Sequence, residues 1–229
     1  MKYEIKHRPS FALLEVELGP GESIVAEAGA MTYITPNVRV KTRIREGNLA
    51  EALGIKLFGG QSFFVNEYVS EVGGGRVALA AAPLGDIARI ELRGSEGFIV
   101  QKSSYLASST SIDLDVKWQG FTKGLFGPGV FMIRVRGDGD LFINTFGALE
   151  KLSLGTNEGL IVDNYHLVAF SESCSYSVSK FGGLKSTLLG GEGLVVNVRG
   201  PGDVYVQTKS PMEFASWVAS LLPSQRGSR

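Results

Sequence analysis

Two histidines, His7 and His166, and a single cysteine, Cys174, are all the imidazole and thiol this 229-residue chain carries. A Ser-His-Asp hydrolase would have to use one of those histidines, and no Gly-x-Ser-x-Gly elbow presents a nucleophile to it. His166 follows Asp163 by three residues and precedes Cys174 by eight, inside the strand-like run Asn164 to Phe170. Alternation sends neighbours on such a run to opposite faces, so a hydrogen-bonded structural histidine is the better reading. One cysteine excludes an internal disulfide and a cysteine-based zinc cluster, and it suits a reducing compartment.

Other suggestive strings fail on their own chemistry. Gly182-Gly183-Leu184-Lys185-Ser186-Thr187 looks like a phosphate loop. The residue before the lysine must be glycine for backbone amides to wrap a phosphate, and here it is Leu184. Asp138-Gly139-Asp140 is too short for a calcium loop, which needs further oxygen ligands at fixed spacing. Glu22, Glu96 and Glu158 occupy matching turns, where a ring of carboxylates could hold a hard cation; turn glutamates ordinarily face water. No catalytic residue, cofactor or metal site is expected.

A different set of residues points to contact rather than chemistry. Lys56-Leu57-Phe58, Lys123 with Leu125-Phe126, and Lys185 with Leu188-Leu189 each place a lysine before two large apolar residues and a glycine. Gathered on one face, these loops would form an apolar surface rimmed by lysine, fit for an oligomer, a protein partner or a lipid surface. Alternatively the six apolar residues plug the open end of a β core.

The elements that must position these residues come in repeats. Ala88 to Trp118 lies over Glu150 to Lys180, with Glu96 on Glu158, and Leu13 to Thr42 is a third copy with Glu22 in the same place. Glycine-loop hairpins from Phe58, from Phe126 and over Leu189 to Ser210 also repeat. Period-two patterns such as Ile112, Leu114 and Val116 against Asp113, Asp115 and Lys117 predict half-buried antiparallel strands. With only Met1 to Ser10 ahead of the first copy, a hairpin preceding every copy requires circular closure. The expected organisation is one β domain over 1–229, with units 11–45 plus 189–210, 58–118 and 126–181. A capping box at Ser210-Pro211-Met212-Glu213 predicts a helix over 211–222, with an apolar face buried against the β edge or a second subunit. Asn48 caps a shorter helix, Leu49 to Leu53.

Composition agrees with a packed β protein. Glycine numbers 30, hydrophobic residues are 44% and charged residues 20%, too apolar a mixture for disorder. Lys+Arg 23 balances Asp+Glu 23, so no global field draws the chain to nucleic acid. The N-terminus has no secretory h-region and the run Val77 to Leu84 is too short to span a bilayer, which predicts a cytoplasmic protein.

The strings GGEGLVVNVRGPGDVYVQTKSP and LFGGQSFFVNEY, with the three-copy layout, resemble the altered inheritance of mitochondria protein 24 family, also called domain of unknown function 124. The resemblance spans the chain. It implies an all-β, double-stranded β-helix-like fold related to the tryptophan RNA-binding attenuation protein, in homo-oligomers, and it implies no defined activity. The expected function is a non-enzymatic oligomeric β scaffold or interaction module, with itself as first partner and a protein or membrane surface as second. The alternative is RNA or small-ligand binding on the same scaffold, with Lys41, Arg43, Arg45, Lys117 and Trp118 as the basic and stacking candidates.

Overall fold

The computed structural model describes residues 1–44, 64–80, 84–115, 130–181 and 193–222. The described residues are mostly β-strand, with one α-helix among them, α1 (Pro211–Leu221), near the C-terminus. An extra strand, β1 (Lys2–Lys6), precedes three units of six strands each. The first holds β2 (Leu13–Leu18), β3 (Ser23–Glu27), β4 (Met31–Ile34), β5 (Val38–Ile44), β6 (Phe64–Ser70) and β7 (Gly75–Leu79). The second holds β8 (Ile87–Leu92), β9 (Gly97–Gln101), β10 (Tyr105–Ser109), β11 (Ile112–Asp115), β12 (Met132–Gly137) and β13 (Gly139–Asn144). The third holds β14 (Leu149–Leu154), β15 (Gly159–Asp163), β16 (Leu167–Ser171), β17 (Ser175–Lys180), β18 (Leu194–Arg199) and β19 (Gly202–Gln207).

Each hairpin belongs to the copy before it. β7 lies between β2 and β4 while β6 lies between β3 and β5; β13 and β12 do the same for the second copy, and β19 and β18 for the third. The expected circular closure, with 189–210 completing the N-terminal copy, does not form: β18 pairs with β15 and β17, and β19 with β14 and β16. The reason is local connectivity. Four strands of a copy leave gaps that the next hairpin in the chain fills, so no copy needs a distant segment. The shorter predicted helix, Leu49 to Leu53, lies outside the described residues.

The units share sheets. β3 pairs with β10 of the second unit, and β9 with β16 of the third, so two six-stranded sheets each join two units. What remains is a four-stranded sheet, β1-β2-β7-β4, and a three-stranded sheet, β15-β18-β17. The four sheets stack through three cores. Leu14, Val16 and Leu79 of the four-stranded sheet meet Ile24, Tyr68 and Phe142. Val25, Tyr105 and Leu141 on the other face of that second sheet meet Val100, Val135 and Tyr205 of the third. Ile99, Phe170 and Val204 then meet Val162, Val196 and Val198 of the three-stranded sheet. The central strands of the two middle sheets, β3, β10, β9 and β16, are therefore buried on both faces, and every residue of β9 is buried.

Two glycines make the hairpins close. Gly139 (φ +139°) and Gly202 (φ +149°) open equivalent strands, and a Cβ there would lie 2.7 Å from Ser109 Cβ and 2.7 Å from Cys174 Sγ, respectively. This connectivity predicts how damage spreads. Deleting residues 194–229 should strip hydrogen-exchange protection from β14 to β17 and leave β2, β3, β6 and β7 protected; loss of protection in the first unit would contradict the assigned pairing.

Candidate interaction site

The predicted contact residues Lys56, Leu57, Phe58, Lys123, Leu125, Phe126, Lys185, Leu188 and Leu189 lie outside the described residues. Their anchors do not. The three segments connect β5 to β6, β11 to β12 and β17 to β18, the same hairpin in each unit. β5, β11 and β17 are equivalent edge strands of three successive sheets. Among the basic and stacking residues considered for RNA, Lys41 pairs in register with Glu67, whereas Arg45, Lys117 and Trp118 fall outside the described residues.

A cleft of ≈ 910 Å³ opens where the second and third units meet, lined by Arg89, Glu96, Arg136, Lys151, Glu172 and Asp203 among others. Its cations are matched by carboxylates. Arg136 grips Glu172 with two of its nitrogens, at 2.5 and 2.7 Å. Lys151 lies 2.8 Å from Asp203, which also accepts from Ser153 Oγ at 2.6 Å. Arg89 reaches Asp140 at 2.6 Å. The Asp203 carboxyl is held below its ordinary range by Lys151 and Ser153, against a desolvation that acts the other way. A polyanion entering this cleft would have to displace charge-assisted bonds already made. The Arg136–Glu172 pair crosses from one unit to the next, so its work is to hold the junction.

The chemically suggestive residues are occupied in the fold. His166 Nδ1 sits 2.7 Å from the Gln207 carbonyl, as a structural histidine should. Cys174 is buried, and burial pushes its thiol pKa up, away from the thiolate. Glu22 and Glu158 each accept from the amide that opens their own turn, Gly19 and Gly155, both at 2.8 Å. Glu22 also takes the N-terminal ammonium at 2.7 Å. Among the described residues no cluster of His, Cys, Asp or Glu has the arrangement of a metal site.

Two features escaped the sequence reading. Glu27, at the end of β3, is pushed up to about 7 by desolvation, with Lys102 opposing. The second is the exposure of α1. Its N-cap is as expected, Ser210 Oγ accepting from the Glu213 amide at 3.3 Å with Pro211 in the first turn. The other described residues leave its apolar face open: Trp217 is 58% and Leu221 64% exposed. Phe214 finds an aromatic neighbour beyond the helix, Phe146, with ring centroids 5.2 Å apart. Among the described residues no helix is long and apolar enough to cross a membrane.

A carboxyl whose folded pKa is raised favours folding below its unfolded pKa, and that advantage is lost as pH rises through the folded value. The window for Glu27 runs from about 4.5 to 7. Glu27→Gln should therefore flatten the stability profile across that window and leave the protein roughly 2–3 kcal/mol more stable at pH 8 than the parent. Chemical denaturation at a series of pH values checks this; parallel curves for parent and variant would refute it.

With this geometry in hand, comparison with known proteins is informative. Residues 3–209 match the family described as mitochondrial biogenesis AIM24. An uncharacterised protein of Streptococcus pyogenes serotype M6 is 31% identical over 231 residues, covering 98% of this chain and 92% of that protein. A structural-genomics crystal structure of a Streptococcus pyogenes protein superposes with a TM-score of 0.77 at 29% identity, covering 96% of this chain and 99% of that one. α1 begins just past the matched residues.

Proposed function

Because this chain belongs to the AIM24 family, we propose that it is a non-enzymatic oligomeric β scaffold that works by contact with other protein chains. The observation that carries this reading is the uncovered face of α1, where Met212, Trp217, Leu221 and Leu222 stand more than half exposed on a short, well-capped helix. Large apolar groups held rigidly in water are the mark of a contact surface, and aromatic anchors supply much of the energy of such contacts.

The chemistry of the helix favours a protein over an anionic membrane. Interfacial membrane helices carry lysine and arginine beside their apolar face, and Pro211–Leu221 carries one charge, Glu213. An apolar groove fits this surface. The paired cations of the inter-unit cleft likewise favour a framework role over binding of RNA.

The test is Trp217→Ser with Leu221→Ser. Both side chains are exposed in the isolated chain, so the melting temperature should change by no more than a few degrees. The parent should sediment as an assembly heavier than the 24.5 kDa chain, and the double variant should lose mass. Identical sedimentation of parent and variant would overturn the assignment of α1 as a contact.

A further inference from the structure

We propose that the cleft between the second and third units receives an extended segment of another protein, which adds a strand to the free edge of β8 and seats an aromatic side chain against Tyr205 and Lys151. The chain's own β1, one unit earlier, is the template. This goes beyond the contact assigned to α1 and does not depend on it.

Three equivalent strands carry the argument. Hairpin registers align β2, β8 and β14: Leu18, Leu92 and Leu154 stand opposite Gly75, Gly139 and Gly202. β1 pairs along the outer edge of β2, whereas β8 and β14 end their sheets with no further strand among the described residues. β1 does two things. It caps the edge of β2, and it sends Tyr3 onto the next sheet, where the ring meets Phe142 edge-on at 5.1 Å and lies 5.6 Å from the Arg89 guanidinium. An unpaired edge offers the backbone groups to which a further strand adds.

The seat that Tyr3 takes exists again one unit later. Arg89 stands opposite Phe142 and binds Asp140; Lys151 stands opposite Tyr205 and binds Asp203. Phe142 and Tyr205 are matching positions of their hairpins, as are Asp140 and Asp203. In the second seat Lys151 lies over the Tyr205 ring itself, 5.7 Å from its centroid. Both residues line the cleft of ≈ 910 Å³, together with Arg89, Ile90 and Glu91 of β8. The opening and the bare edge therefore adjoin, as a site for a strand and its side chain requires.

The register of β1 sets the chemistry of the occupant. Tyr3 opposes Val16 and Ile5 opposes Leu14, so on β8 an aromatic residue opposes Ile90 and an aliphatic one, two places on, opposes Ala88. Ala88 and Leu149 are partly buried against the middle core and have room for that aliphatic group. On the other face the Lys2 and Glu4 positions fall opposite Glu91 and Arg89. A basic residue before the aromatic and an acidic one after it are therefore matched. On β2 the acidic position is opposed by a like charge, since Glu4 there faces Glu15. The partner is an extended run of basic, aromatic, acidic and aliphatic residues in that order.

The probe is a fluorescein-labelled synthetic peptide, Ser-Lys-Tyr-Glu-Ile-Lys-Ser, followed by anisotropy as the full chain is added. It should bind with a Kd of about 100 μM or tighter, and replacing its tyrosine by alanine should weaken binding at least about tenfold. Cross-linking fixes the place. In a Cys174→Ala background, a peptide with cysteine for its first lysine should form a disulfide with Glu91→Cys at least about tenfold faster than with two controls. These are Glu17→Cys, on the edge that β1 already holds, and Ser153→Cys, at the matching place on β14. The Trp217→Ser, Leu221→Ser protein should bind the peptide as the parent does. Absence of binding at about 1 mM, an alanine peptide that binds equally well, or a control cysteine that cross-links as fast as Glu91→Cys overturns the proposal. Binding lost in the α1 variant moves the peptide to that helix, rejecting the cleft and keeping the α1 contact. An α1 variant that sediments like the parent, while the peptide still cross-links at Glu91→Cys, rejects the α1 contact and keeps the cleft.

Discussion

Successive side chains of β3 and β9 belong to different cores, and the architecture hangs on that. Ile24 and Ala26 fill the first core while Val25 fills the second; Phe98 and Val100 fill the second while Ile99 fills the third. A strand that serves two cores cannot carry a polar face, which is why β9 reads Gly-Phe-Ile-Val-Gln with no alternation. It also cannot slip by one residue without exchanging the contents of both cores. Register, stacking order and the sharing of sheets between units all follow from that double duty.

Electrostatics reinforces the junctions without dominating them. Arg8 clasps Asp86 through two nitrogens, at 2.7 and 2.8 Å, tying the segment after β1 to the entry of the second unit, where Asp86 is almost wholly buried. The Asp86 carboxylate also accepts from the Ile87 amide at 2.8 Å, so its Oδ1 accepts twice. Arg136 and Glu172 make an ion pair between the second and third units in a wetter setting, where water screens the attraction. The cores carry most of the cohesion.

Much of this was legible in the chain. The three copies, their matched turns and the capping box at Ser210 are local patterns, and each forms where its residues predict. The division into units was not legible, because hairpins before and after each copy are equally periodic; only non-local pairing distinguishes β18 with β15 from β18 with an N-terminal strand. The fate of Leu160-Ile161-Val162 was equally hidden. It matches Phe98-Ile99-Val100 in character, yet one run is buried on both faces and the other ends a sheet. The α1 face shows the same limit: an apolar stripe says that something covers it, and not which surface does.

The order of elements bears on how the chain is made. Since every hairpin follows the copy it completes, the first unit has all six of its strands, plus β1, as soon as residue 79 has left the ribosome. Only the outward face of β3 then waits, and the next strands to emerge are those that cover it. Synthesis and burial thus proceed in the same direction, each unit offering the template on which its successor condenses, and the interval during which bare strand edges are free to find a wrong partner is kept short. A circularly closed arrangement would have left the N-terminal third unfinished until the last residues were translated.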